Sequence, residues 1–147
     1  MFFSVNQVDW CKYGTKLRHM RNEVLSFEQG FEMCMIHDGL DEQGIHIGAF
    51  VNGEMVGSCR LLRKDDSTFK LGRMVVIKNH RLKGCGSAIL EYVFNNLLLR
   101  HPGVLYIDIE AQKQASEFYK KHEFNIISSE YIICLIPHYT MRWSRKR

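Results

Sequence analysis

The chain has 147 residues, 46% hydrophobic and 24% charged, with 11 glycines, 2 prolines and a formal net charge of +4. These values predict one globular domain over residues 1–147 with a substantial core, and they exclude disorder and collagen-like repetition. The apolar run Ile132 to Pro137 is too short to span a bilayer. The start, Met1-Phe2-Phe3-Ser4-Val5-Asn6, lacks a basic region followed by a sustained apolar one, so a cytoplasmic location without leader or membrane anchor is expected.

From Thr15 to Phe27, Leu17, Met20, Val24 and Leu25 recur at helical spacing, with Gly30 beyond as a stop. His46 to Val51 and Met55 to Leu62 read as antiparallel strands joined at Asn52-Gly53-Glu54, because Asn-Gly accepts positive φ at both turn positions. A third strand, Phe69 to Ile77, becomes apolar on both faces, as in a central strand covered by helices. Function is expected at its C-terminal end. The turn Lys78 to Ser87 follows, then a helix carrying Ile89, Leu90, Val93, Phe94, Leu97 and Leu98 up to Arg100. His101-Pro102-Gly103 stops that helix, and Val104 to Ala111 alternates as a strand, completing a β-α-β unit. Ala115, Phe118, Tyr119 and His122 share one stripe of a further helix. Short strands near Phe124 to Ser128 and His138 to Trp143 complete an α+β (α/β) fold with a mixed sheet.

The chemically informative segment is Arg81-x-x-Gly84-x-Gly86, between the buried strand and the long helix. A helix N-terminus offers unpaired N–H groups and partial positive charge, glycines let backbone close around phosphate oxygens, and Arg81 and Lys83 add counter-charge. The segment lacks the Lys-Ser/Thr ending of a P-loop and the G-x-G-x-x-G dinucleotide fingerprint. The five cysteines, Cys11, Cys34, Cys59, Cys85 and Cys134, form no C-x-x-C pair, so neither a disulfide framework nor a metal site is expected. The basic end, Arg142 to Arg147, reads as a solvated tail, with nucleic-acid binding not expected.

Arg/Gln-x-x-Gly-x-Gly/Ala after a strand with a valine five positions before the arginine, here Val76, resembles the signature of the GNAT superfamily of acyl-CoA-dependent N-acetyltransferases. Gln112 to Phe124 resembles the family's second stretch, in which a polar residue and an alanine precede a tyrosine and then Gly-Phe. Met20-Arg21-Asn22-Glu23-Val24-Leu25, Glu28-Gln29-Gly30, Asp38-Gly39-Leu40-Asp41, His46, Ala111-Gln112 and Ile136-Pro137-His138-x-x-Met141 are similar to the ElaA-like branch. The chain departs from these patterns at Leu82 and Glu123, where glycine is usual, at Leu25 for phenylalanine, and at Ile132-Ile133-Cys134-Leu135, where an acidic, glycine-containing turn is typical.

The resemblance implies a GNAT fold, a mixed twisted sheet flanked by helices, and acetyl transfer from acetyl-CoA to a primary amine in a ternary complex, without metal. It implies that Met74 and Val76 offer backbone groups to the pantetheine arm, that Arg81, Lys83, Gly84, Cys85, Gly86 and Ser87 hold the pyrophosphate, and that Gln112 stands near the cofactor. Tyr119 matches the tyrosine that protonates the departing sulfur. For the general base, Glu110 and His138 are candidates by position, with His46 and Glu28 as further options from the branch resemblance. Cys85 sits at a helix start that would lower a thiol pKa, but its place in the turn suits phosphate binding through N–H better than nucleophilic attack. The acceptor is open between a small-molecule and a protein amine, and Glu28, Asp38, Asp41 and Glu42 near the entrance would attract a cationic one. Monomer and homodimer are both open. Competing readings are a non-catalytic acyl-CoA sensor or partner module, supported by the hydrophobic replacement at Ile132 to Leu135, and a transferase for a longer acyl donor, since the N-terminal pattern also resembles acyl-homoserine-lactone synthases.

Overall fold

A computed structural model describes residues 2–146. The chain opens with strand β1 (Ser4–Val8) and helix α1 (Trp10–Arg21), whose Asp9 carboxylate caps the first turn by accepting from Lys12 N–H at 3.3 Å. Helix α1 thus begins five residues before the expected Thr15. Gly14, unfavourable in a helix interior, is retained because a Cβ there would lie 3.1 Å from the Trp10 indole. The chain then widens into a π-helical segment, Asn22–Glu28, and a single turn α2 (Met33–Ile36).

Strands β2 (Ile45–Val51) and β3 (Glu54–Asp65) form the expected hairpin, with φ of +51° at Asn52 and +80° at Gly53. Strand β4 (Thr68–Val76) returns antiparallel to β3, and α3 (Cys85–Asn95) follows. α3 stops short of the expected Arg100 because Leu97–Arg100 tighten into a 3₁₀ turn. Then come β5 (Tyr106–Gln112), α4 (Ser116–Lys121), the two-residue β6 (Asn125–Ile126), β7 (Tyr131–Ile133) and β8 (Ile136–Ser144). The sheet order is β1-β2-β3-β4-β5-β8-β6, with β7 beside β8, and among the described residues only the β4–β5 pair is parallel.

The central strands are covered on both faces. Ile89, Leu90 and Val93 of α3 pack with Ile47, Val56 and Leu71 on one side, while Leu17, Met20 and Val24 pack with Met55 and Val75 on the other. Each fully buried leucine or isoleucine contributes about 1.5–3 kcal/mol. The basic end is not a free tail. Arg142 pairs with Asp108 at 2.7 Å, and Arg145 donates to the carbonyls of Val104, Leu98 and His101, closing the turn after Leu97–Arg100. Lys146 pairs with Glu123 at 2.7 Å, and Arg147 lies outside the described residues. Among the described residues, no helix is long and apolar enough to cross a membrane.

Candidate active site

Parallel strands β4 and β5 pair from Thr68↔Tyr106 to Leu71↔Ile109 and then part. The cause lies in β4. Ser58 of β3 faces Val75 and Arg60 faces Gly72, so Arg73 and Met74 together oppose Cys59 alone, and this bulge bends β4 away. Arg73 sits at φ +53°, a conformation that costs a non-glycine residue about 1–3 kcal/mol. Its guanidinium is tethered to Met35 O at 2.7 Å, Ile36 O at 3.3 Å and Asp38 Oδ2 at 3.0 Å. The split opens a cleft of about 620 Å³ whose wall includes Met74, Val76, Arg81, Gly86, Gln112, Tyr119 and His138. Past Leu71, the β4 edge that faced β5 has no strand partner among the described residues, leaving Met74 main chain open to an extended ligand. At Val76 the carbonyl already accepts from Arg81 Nε at 2.8 Å.

One end of the cleft meets the start of α3. Gly84 caps that helix at φ +88°, with no side-chain cap, and the first helical bond runs from Ala88 N–H to Gly84 O at 3.0 Å. The amides of Cys85, Gly86 and Ser87 therefore precede the first helical bond, and a Cβ built on Gly84 would meet nothing within 4 Å. An oxyanion can approach there, so this end fits a pyrophosphate. The turn's side chains do other work. Arg81 reaches Val76 O and, at 2.6 Å, Glu28; Lys83 Nζ donates to Asn79 O at 3.1 Å; Ser87 Oγ bonds His122 Nε2 at 3.0 Å. Gly86 lies under Phe118, where a Cβ would come within 3.0 Å of the ring. Cys85 points into the core, its Sγ 2.7 Å from where a Cβ on Gly57 would stand, so bare Gly57 lets α3 dock. Burial pushes the Cys85 thiol up to about 11, contrary to the lowering expected at a helix start.

Further along, Tyr119 lines the cleft with its ring edge-on to Phe118 and Phe124, and burial raises its phenol pKa, keeping it protonated. Gln112 and His138 sit opposite each other on β5 and β8 and share a face, the one on which Gln29 Oε1 accepts from Gln112 Nε2 at 2.7 Å. His138 is buried between Phe31 and Tyr131, and its Nδ1 lies 2.7 Å from Ile136 O. A carbonyl only accepts, so Nδ1 carries a proton, and in the neutral ring the lone pair is then on Nε2. Glu110 also lines the cleft, its carboxylate bound to Lys70 at 2.6 Å.

The other two candidate bases are occupied. Glu28 pairs with Arg81, and His46 is buried with Nε2 donating to Asp41 O at 2.8 Å and Nδ1 accepting from Arg21 at 3.2 Å. Desolvation lowers the His46 pKa, and the ring stacks on Trp10 at 4.9 Å, so its role is structural. Nor do Asp38 and Asp41 present free negative charge at the entrance. Arg60 holds Asp38 at 2.8 Å and Asp41 at 3.1 Å, and buried Arg21 holds Asp41 at 2.7 Å. This Arg21-Asp41-Arg60-Asp38-Arg73 chain locks the segment after α2 onto the bulge. Arg73 and Lys70 join the candidate site although apolar periodicity does not single them out. The available signal was charge inside an otherwise apolar strand, as in Leu71-Gly72-Arg73-Met74.

Residues 19–145 match the acetyltransferase (GNAT) domain. The chain belongs to the GNAT acetyltransferases. An uncharacterized N-acetyltransferase of Bacillus subtilis, YjcF, is 32% identical over 124 residues, covering 84% of this chain and 86% of that one. Among solved structures, Escherichia coli ElaA superposes with a TM-score of 0.83 at 21% identity, covering 96% of this GNAT chain and 99% of its own. A GNAT acetyltransferase from Elizabethkingia anophelis, solved with acetyl-CoA bound, gives 0.72 at 14% identity over 97% and 98% of the two chains.

Proposed function

We propose that this GNAT protein is an acetyl-CoA-dependent N-acetyltransferase that passes the acetyl group directly to a primary amine. The observation that carries this reading is the alignment of the β4–β5 split with the uncapped start of α3 on one side and with His138 Nε2 on the other. Bound acetyl-CoA supplies the activated thioester. The cradle at Gly84 to Ser87 takes the pyrophosphate, and the open edge at Met74 pairs with the pantetheine amides.

His138 Nε2 takes the proton of the incoming ammonium, directly or through water, because an alkylammonium near pKa 10 is almost wholly protonated at neutral pH. The amine nitrogen then bonds the acetyl carbon as the carbon–sulfur bond breaks, and Tyr119 gives its phenolic proton to the sulfur. The second nitrogen proton returns to the Tyr119 oxygen through solvent, and His138 releases the first. Holding both reactants in one split supplies much of the rate.

Tyr119→Phe is expected to lower turnover about 10²-fold or more while acetyl-CoA affinity is kept, read by thiol release beside calorimetry. Unchanged turnover would remove Tyr119 from the chemistry. His138→Ala should lower kcat/KM about 10²-fold or more, whereas Glu110→Gln should leave it near the wild-type value.

A further inference from the structure

We infer, resting on the acyl-transfer reading above, that the acceptor is an amine carried on an uncharged apolar body, of the arylalkylamine class, and not a polycation. The cleft runs through the sheet. The start of α3 and α4 form one side, and the other is walled by Leu25, Phe31, Met35, Ile36, Ile133 and His138. An acceptor approaching His138 Nε2 therefore lies against aliphatic, thioether and aromatic groups, beside the uncharged Gln29–Gln112 amide pair.

Charge on this wall is balanced in place. Among the described residues its charged side chains are Lys70, Glu110, Arg73 and Arg81. Lys70 is bound to Glu110 at 2.6 Å, Arg73 to Asp38 at 3.0 Å and Arg81 to Glu28 at 2.6 Å. The sole carboxylate of the wall is thus spent on Lys70, and Asp38 and Asp41 behind it are held by Arg60 and Arg21. A second or third ammonium entering with the acceptor would lose hydration without gaining a counter-ion. Glu32 and Glu42 are exposed and do not line the cleft.

The apolar surface continues outward. Cys134 Sγ lies 3.0 Å from Met35 Sδ, joining the β7–β8 turn to α2, and the side chains of Ile132 and Leu135 on that hairpin are 60% and 93% exposed. The stretch Ile132 to Leu135 carries no charged side chain. Here it offers hydrocarbon, which binds a phenyl or alkyl body and gives a polycation nothing.

The test compares phenethylamine with spermidine, using thiol release at saturating acetyl-CoA and calorimetry of each amine on the acetyl-CoA-loaded protein. Phenethylamine is expected to lead in kcat/KM by about tenfold or more, and Ile133→Glu to cut that ratio by at least a similar factor with acetyl-CoA affinity retained. A preference for spermidine, calorimetric binding of neither amine, or a ratio unmoved in Ile133→Glu would overturn the inference. Phenethylamine binding without thiol release would support the acceptor preference while counting against acetyl transfer itself, so the two failures are distinguishable.

Discussion

Two hairpins in this protein use the same backbone with opposite chemistry. Asn52-Gly53 joins β2 to β3, and Cys134-Leu135 joins β7 to β8, each as a two-residue turn with both φ values positive. Asn-Gly adopts that shape cheaply, while leucine at φ +66° pays for the clash of its Cβ with the backbone, about 1–2 kcal/mol. Leu135→Gly should therefore raise stability, by roughly 0.5–1 kcal/mol after the larger chain entropy of glycine is subtracted, read as a higher urea midpoint. A lower midpoint would show that the exposed leucine is held by contacts stronger than its strain. Leu82 and Glu123 follow the same logic at φ +60° and +68°. Leu82, Glu123, Cys134 and Leu135 all place side chains on left-handed backbone, where glycine would be unstrained. Asn52-Gly53 announces its turn, whereas Cys134-Leu135 carries no turn chemistry and is dictated by the pairing of Ile133 with Ile136.

Among elements, the decisive one is the bulge in β4. Strand, glycine turn and helix could be read in order because apolar periodicity and the Gly84 and Gly86 spacing are local. The split could not, because it depends on Arg73 being tethered by Met35, Ile36 and Asp38, residues about 35 positions away. The first strand was equally hidden, since Ser4–Val8 is a largely exposed edge whose register with β2 is set by tertiary pairing. Asp38→Ala removes the carboxylate shared by Arg60 and Arg73. Asp38 is partly exposed, so the expected loss is about 1–3 kcal/mol, between that of a surface pair and a buried one. If the tether also shapes the cleft, turnover should fall further than the unfolded fraction accounts for, measured at a temperature where the variant is fully folded. Full turnover in a folded Asp38→Ala protein would show that the bulge holds without its anchor.

Across the whole molecule, the buried arginine–aspartate chain makes stability sensitive to acid. Desolvation lowers the His46 pKa from its usual 6.5, so the stability of the neutral ring is complete above about pH 6.5 and is lost as pH falls toward the folded value. Asp38 is depressed chiefly by its hydrogen bond to Arg60, and Asp41 and Asp108 are depressed by arginine partners that outweigh their desolvation. Their contribution is complete above about pH 4 and lost below it. The urea midpoint should accordingly be flat from pH 8 to 7, begin to fall near 6.5 and fall more steeply below 4. A midpoint that rises between pH 7 and 5 would contradict a neutral buried His46.

Direct transfer, as proposed, requires one cleft to bring a thioester and an amine together. It is tested most directly by mass spectrometry of a single turnover, in which acetyl-CoA-loaded protein is mixed with phenethylamine and both products and protein are weighed. N-acetylphenethylamine and free CoA are expected in equal amounts, with the protein mass unchanged before and after the amine is added. An acetylated protein before addition, or bound acetyl-CoA that persists intact with the amine seated beside it, would contradict direct transfer.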